Sequence, residues 1–211
     1  MNLKVITTLT DTNAPGWHKL EQSLIRNGWD YQAIVHTWTG FGSKIIQTYN
    51  YLKNTPEIDY FIYLDAYDNI ALGTPDEFKK RLQDQYIVIS SEKNCYPDRN
   101  LVGMFDKINH FWKYPNSGQI YGKREAYIEV VESNMPNDSD DDQRYWTKRH
   151  LENKNIKQDY CDLFQSIAFE IEGDFEYNFC RLYNKCTHSF PIFIHGNGKT
   201  DMTKIYELCK A

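Results

Sequence analysis

The sequence predicts an α/β fold, a mostly parallel sheet with helices on both faces. Short apolar, β-branched runs alternate with stretches of helical spacing through residues 1–90. Clusters of Gly, Pro, Asn and Asp separate them, as turns between such elements require. The 211 residues are 41% hydrophobic and 15% aromatic, enough to build one core without an internal repeat or linker, so residues 1–211 are expected to form a single domain.

Taken in order, Leu3–Thr8 reads as the first strand, and Asp11, Asn13, Pro15 and Gly16 form a loop after it. Trp17–Arg26 places Trp17, Leu20, Leu24 and Ile25 at helical spacing, and Asn27-Gly28 ends that helix. Tyr31–Val35 is a second strand. Gly40-Phe41-Gly42-Ser43 leads into a helix over Lys44–Leu52, and Tyr60–Leu64 is a third strand. Thr74 can cap a helix, Pro75 suits its first position and Glu77 completes a capping box, so a helix runs to about Gln83. Tyr86–Ser90 follows as a fourth strand. Beyond it the pattern predicts a short strand at Ser117–Tyr121, a helix at Arg124–Glu132, an acidic loop at Asn134–Asp142, a helix at Gln143–Leu151 and a last strand at Phe190–Ile194.

A formal net charge of −5 argues against nucleic acid as a partner, because phosphate neutralisation needs a basic face. No apolar run approaches the roughly 20 residues needed to cross a bilayer. The polar N-terminus reads as a strand rather than a signal peptide, so the cytoplasm is the expected compartment, with the secretory pathway left open. Five cysteines, odd in number and without a CxxC pair, are expected as reduced thiols; a Cys180–Cys186 disulfide is the alternative.

Four segments carry chemistry. Asp65 and Asp68 close the strand Tyr60–Leu64, where α/β sheets bind ligands. Burying unpaired carboxylates is costly, and a hard divalent ion satisfies them. The bland alternative is a turn at Asp68-Asn69 capped by Asp65. His195-Gly196-Asn197-Gly198 offers an imidazole, which favours Mn²⁺ over Mg²⁺, and glycines that let backbone amides approach a phosphate. Its alternative is a hydrogen-bonded His before a glycine turn. The run Asp138–Gln143 is either a solvated loop or a source of carboxylates that orient an acceptor hydroxyl or face a developing positive charge on a sugar. Tyr114-Pro115-Asn116-Ser117-Gly118 is a polar turn before a strand.

In this order the segments resemble the glycosyltransferase domain of the procollagen lysyl hydroxylase (procollagen-lysine dioxygenase) family. Asp65-Ala66-Tyr67-Asp68 matches that family's Asp-Ser-Tyr-Asp motif except at Ala66. Ser90-Ser91-Glu92 leading to Cys95-Tyr96-Pro97, Asn116-Ser117-Gly118, Asp141-Asp142-Gln143, Asp159 before Phe164-Gln165, and His195 to Gly198 follow its pattern, as does the glycine turn before Lys44. The likeness spans nearly the whole chain.

The resemblance implies a GT-A (Rossmann-like) fold, a UDP-hexose donor and Mn²⁺, with Mg²⁺ as a substitute. By position, Asp65, Asp68 and His195 would be the metal ligands. Tyr67 would contact the uridine, with Thr7 or Thr8 near the base. Lys44, Gly196 and Gly198 belong to the donor site, Asn197 lies beside the diphosphate, and Asp141 and Asp142 serve catalysis at the sugar. The family transfers glucose, with retention, to galactosyl-hydroxylysine, and some members are credited with galactosyl transfer. The implied acceptor is therefore a protein or glycan, collagen-like in the favoured case. With no general base evident, the departing phosphate would accept the acceptor's proton.

Departures from the pattern are Tyr96 for Trp, and Gln119 for a second glycine, which is expected to alter the sugar pocket. Lys199-Thr200-Asp201 replaces Pro-Thr-Lys, so the phosphate-binding lysine is displaced to Lys199 or Lys204, or is lost. The family's hydroxylase domain, with its iron and 2-oxoglutarate chemistry, is not expected. Two rival readings are a nucleotide-sugar-binding protein without activity and a metal-dependent nucleotidyltransferase or hydrolase.

Overall fold

In the computed structural model the strands are β1 (Leu3–Leu9), β2 (Tyr31–Val35), β3 (Tyr60–Leu64), β4 (Asn69–Ala71), β5 (Ile87–Glu92), β6 (Tyr114–Lys123), β7 (Ile156–Asp159), β8 (Phe164–Ser166), β9 (Phe175–Asn178), β10 (Arg181–Asn184) and β11 (Phe193–His195). The helices are α1 (Pro15–Arg26), α2 (Gly42–Lys53), α3 (Pro75–Arg81), α4 (Arg124–Ser133), α5 (Asp142–Glu152) and α6 (Thr203–Leu208). The structure describes residues 1–82, 84, 86–168, 173–178, 180–198 and 200–208.

The central sheet has the order β2-β1-β3-β6-β5-β7. Pairs β1–β2, β1–β3 and β5–β7 are parallel, while β6 runs antiparallel to both β3 and β5. Alternate residues of each strand feed opposite faces, as the two-residue pleat demands. Val5, Leu9, Ile62 and Leu64 pack with Trp17, Leu20 and Leu24 of α1 and Phe78 of α3. On the other face Ile6, Phe61, Tyr63 and Ile89 pack with Ile45 and Leu52 of α2, Tyr127 and Val131 of α4, and Trp146 of α5. Helices thus cover both faces, as the alternation of elements implies.

A second, three-stranded sheet, β4-β11-β8, has its own core of Ile70, Ile167, Ile194, Met202 and Ile205. Its three-residue strands are too short to show a period in sequence. The expected strand Phe190–Ile194 is accordingly shifted to Phe193–His195, and the expected short strand Ser117–Tyr121 is the middle of the ten-residue β6. The helix expected from Lys44 starts at Gly42, and the one expected to reach Gln83 ends at Arg81; Gln83 itself lies outside the described residues. The Thr74 hydroxyl does accept from the Glu77 amide at 3.3 Å. The Glu77 carboxylate, however, pairs with Arg181 and Arg81. Cys95, Cys161, Cys180 and Cys186 are free thiols, so the Cys180–Cys186 disulfide is not formed.

Asp159 shows how the edge of the main sheet is joined to the small one. Its buried carboxylate accepts from the backbone amides of Asp162, Leu163 and Phe164 at 3.0–3.2 Å, closing the turn between β7 and β8. Burial pushes its pKa up to about 6 against those amides. The folded chain therefore binds a proton between about pH 4 and 6 that the unfolded chain, with an Asp pKa near 3.9, does not. This group's contribution to stability is fully present below about pH 4 and is lost as pH rises through 6. Asp159→Asn is expected to lower stability by about 1–3 kcal/mol, because its amide nitrogen would face backbone donors. Calorimetric melting against pH should show the gap to wild type widest at pH 4–5 and narrower above pH 6; a constant gap would refute the titration.

Candidate active site

The ends of β1, β3 and β6 and the small sheet converge on two adjoining cavities of about 840 and 420 Å³ that share Phe41, Lys44, Asp65 and Asp68. Local strand pairing explains why. The chain leaves β3 at Leu64, turns through Asp65–Asp68 and enters β4, where Asn69 pairs with His195 of β11. That register sets the imidazole beside Asp68, and the Gly196 amide donates to the Asp68 carbonyl at 2.7 Å. On the opposite side β5 and β6 lose register between Ile89 and Ser90, so Ser117, Gly118 and Gln119 have no partner on β5. Such a bulge re-aims side chains, and here it carries Ser117 and Gly118 to the cavity wall.

One ligand atom from each of Asp65, Asp68 and His195 lies within 4.8 Å of the others, a group that could hold a metal ion. His195 Nε2 is 3.3 Å from Asp68 Oδ1 and 3.9 Å from Asp65 Oδ2. Two carboxylate oxygens and one imidazole nitrogen suit a divalent ion of the Mn²⁺ or Mg²⁺ type. A Cβ on Gly118 would fall 2.1 Å from His195 Cε1, so only glycine leaves room for the ring at this point of β6.

Lys44 from α2 lies, largely covered, between two acids, with its ammonium 2.7 Å from Asp65 Oδ1 and 2.6 Å from Asp142 Oδ2. Burial alone would lower its pKa; Asp142 and Asp65 outweigh that and hold it well above the ordinary lysine value. Burial likewise opposes ionisation of Asp65, but Lys44 and His195 bring its carboxyl below the usual range. Asp142 is pushed upward, first by burial and then by the charge of Asp65. For His195, burial is overcome by Asp68 and Asp65, and its pKa is raised.

The smaller cavity is lined by Thr8, Trp38, Ala66 and Tyr67. The Tyr67 hydroxyl accepts from the amides of Thr10 and Asp11 at 2.7 and 2.9 Å, which fixes its ring at the cavity edge. Thr8 faces this space and pairs with the Tyr63 hydroxyl at 3.1 Å. Thr7, pointing to the other face of β1, is buried away from it. Asp141 reaches the larger cavity, yet its carboxylate caps α5 by accepting from the Arg144 amide, whereas Asp142 faces Lys44 and Ser117. Asn197 and Gly198 line the larger cavity. Gly196 instead packs against Met202, where a Cβ would lie 2.5 Å from the sulfur. Gln119 turns inward to Asn69 and does not line the sugar-sized cavity as its position in the motif implied. Lys199 lies outside the described residues, and Lys204 sits on α6.

The motif reading gave no role to Glu92, whose buried carboxylate gathers the side chains of Asn116, Gln143 and Asn197. Burial raises its pKa and those amides pull the other way. A carboxylate at the end of a wholly buried strand was the signal available.

Comparison with known proteins agrees with this geometry. A family model described as "PLOD GT domain" matches residues 2–208. The "uncharacterized protein R699" of Acanthamoeba polyphaga mimivirus is 31% identical over 187 residues, which are 86% of this chain and 41% of that protein. Mouse procollagen-lysine,2-oxoglutarate 5-dioxygenase 1 is 30% identical over 156 residues, 69% of this chain and 21% of that protein. The human multifunctional procollagen lysine hydroxylase and glycosyltransferase LH3 is 27% identical over a similar share. The chain thus spans well under half the length of these relatives. Among solved structures, a glycosyltransferase involved in glycosylation of the major capsid of PBCV-1 superimposes with a TM-score of 0.61 over 100% of both chains at 9% identity, a likeness of GT-A fold.

Proposed function

We propose, for a chain that belongs to the PLOD GT domain family of glycosyltransferases, that residues 1–211 act as one unit transferring a hexose from a UDP-sugar to an acceptor hydroxyl. The observation that carries this reading is the Asp65, Asp68 and His195 cluster at the junction of the two cavities. The smaller cavity takes the nucleoside, against Tyr67 and beside Thr8. The larger takes the hexose and the acceptor, between Asp142, Asn116 and Asn197. Glucose is the favoured sugar, galactose the second, and a galactosyl-hydroxylysine of a collagen-like protein the favoured acceptor.

Asp65, Asp68 and His195 would hold Mn²⁺, which when bound supplies positive charge for the departing diphosphate. Lys44 opposes protonation of Asp65 and Asp142 and fixes both carboxylates in place. Asp142, held by Lys44 and by the Ser117 hydroxyl at 3.0 Å, faces the positive charge that develops on the sugar. Asn197 is held beside the diphosphate by Glu92 and by the Ala168 amide.

A screen of UDP-sugars with Mn²⁺, reading UDP release with and without acceptor peptides, tests the reading. Tight donor binding without UDP release under any condition would refute the enzyme. Nucleoside monophosphate or free phosphate among the products would mark a different reaction. Asp142→Asn is expected to lower turnover by about 10²-fold, the usual loss on removing one preorganised electrostatic group. UDP affinity should change little, and an equal loss of both would assign Asp142 a structural role.

A further inference from the structure

Glu92 has only acceptors to offer once ionised, and three carboxamides surround it. Asn116 Nδ2 and Gln143 Nε2 donate to Oε1 at 3.0 and 2.6 Å, and Asn197 Nδ2 donates to Oε2 at 3.0 Å. All four side chains are buried. A carboxamide that turns its NH₂ to a carboxylate must turn its oxygen the other way. The groups on the far side agree. Asn116 Oδ1 meets the Gly118 amide at 3.0 Å, and Asn197 Oδ1 meets the Ala168 amide at 2.9 Å. Gln143 Nε2 also donates to the Tyr96 carbonyl, and its oxygen accepts from Asn116 Nδ2 at 3.2 Å. Backbone amides donate and carbonyls accept, so no other set of amide orientations satisfies this cluster.

The branch through Asn116 continues to the proposed metal ligand. Asn116 Oδ1 lies 3.0 Å from His195 Nδ1. An oxygen fixed as acceptor requires Nδ1 to carry a proton, which leaves Nε2 on the side of Asp65 and Asp68 as the ring's only available lone pair.

We infer that Glu92 is a positioning residue: by holding Asn116 with its oxygen toward His195, it fixes the imidazole with Nδ1 protonated and Nε2 presented to a divalent cation. This rests on the metal reading of Asp65, Asp68 and His195. Glu92 reaches the cation through two intervening side chains, and through Asn197 the same carboxylate orders the diphosphate side of the cavity. One buried charge thus sets both walls.

The test uses the whole chain, with Mn²⁺ binding followed by the electron paramagnetic resonance of free Mn²⁺. In parallel, the His195 Nδ1–H resonance is recorded by ¹⁵N–¹H NMR without metal. Glu92→Gln puts an NH₂ among three others and leaves Asn116 oriented by the Gly118 amide alone; Mn²⁺ affinity is expected to fall about 10- to 100-fold, the range for losing an outer-shell partner, and the Nδ1–H to exchange rapidly with water. The double variant Glu92→Gln/Asn116→Ala is compared with Asn116→Ala alone. Because Glu92 acts on the cation side through Asn116, adding the Glu92 change is expected to alter Mn²⁺ affinity by less than about threefold, a non-additivity that a merely structural role for Glu92 would not produce. Unchanged Mn²⁺ affinity in Glu92→Gln, or a further loss of about 10-fold or more when it is added to Asn116→Ala, would overturn the inference. Should Glu92→Gln not fold, the wild-type spectrum still decides, since no protected Nδ1–H there refutes the relay. A protected Nδ1–H that follows the variants as expected, with no Mn²⁺ bound by wild type, supports the relay and refutes the metal reading alone.

Discussion

Replacing Asp68 by alanine is expected to abolish Mn²⁺-dependent UDP release, a loss of at least about 10³-fold, while the chain melts within a few degrees of wild type. The size follows from the several kcal/mol that a bound cation contributes to a departing diphosphate, at 1.4 kcal/mol per factor of ten. The intact fold follows from where Asp68 sits. Its side chain is partly exposed, at 36%, and its carboxylate faces His195 Nε2 at 3.3 Å. Its structural bond, from the Gly196 amide to its carbonyl, uses backbone atoms that alanine keeps. Mn²⁺ titration and UDP release would be measured on the same preparation. Full activity in Asp68→Ala would show the metal assignment to be wrong.

Gly118→Ala is the second large effect, and it acts from beneath the site. The new Cβ would lie 2.1, 2.6 and 2.7 Å from three atoms of the His195 ring, closer than real Cβ atoms approach their neighbours. His195 sits on β11, paired on both sides, with Asn69 and with Ser166, so its backbone cannot retreat and the ring must swing. The swing takes Nε2 from the two carboxylates and Nδ1 from Asn116. Mn²⁺ affinity is expected to fall by more than 10²-fold, beyond the range for outer-shell changes, with about 1–3 kcal/mol of stability lost to overpacking. A variant that binds Mn²⁺ as wild type does would show that the ring does not serve as a ligand.

The parts of this arrangement that were legible in the sequence are those with local signals. The parallel strands β1, β2 and β3 announce themselves as apolar runs between turn residues, and Asp65 and Asp68 stand out because a core strand ends on them. Helix α3 begins where Thr74 and Pro75 place it. What was not legible depends on pairing. Whether Thr7 or Thr8 faces the cavity is settled by the pleat, which puts Thr8 with Ile6 and Thr7 with Val5 and Leu9. The inward turn of Gln119 follows from the interrupted register of β5 and β6, which no periodicity in β6 displays. β4, β8 and β11 become strands by pairing with one another, in steps of three residues each. The Glu92 cluster draws on β5, β6, α5 and the turn after β11, so it exists only once both sheets are assembled.

The position of Lys44 has a consequence for the order in which ligands arrive. Among the described residues the two cavities are lined by the acids Asp65, Asp68, Glu92, Asp141 and Asp142 against Arg99 and Lys44, and the Lys44 ammonium is already shared between Asp65 and Asp142. A diphosphate that enters alone meets a predominantly negative field in surroundings of reduced dielectric, where like charges repel far more than in water. Cation and nucleotide are therefore expected to load in a compulsory sequence, the cation first or both as a complex. UDP alone should be a poor inhibitor in chelator-treated buffer and become a strong one when Mn²⁺ is restored, so that cation supply, rather than nucleotide supply, throttles entry into the catalytic cycle.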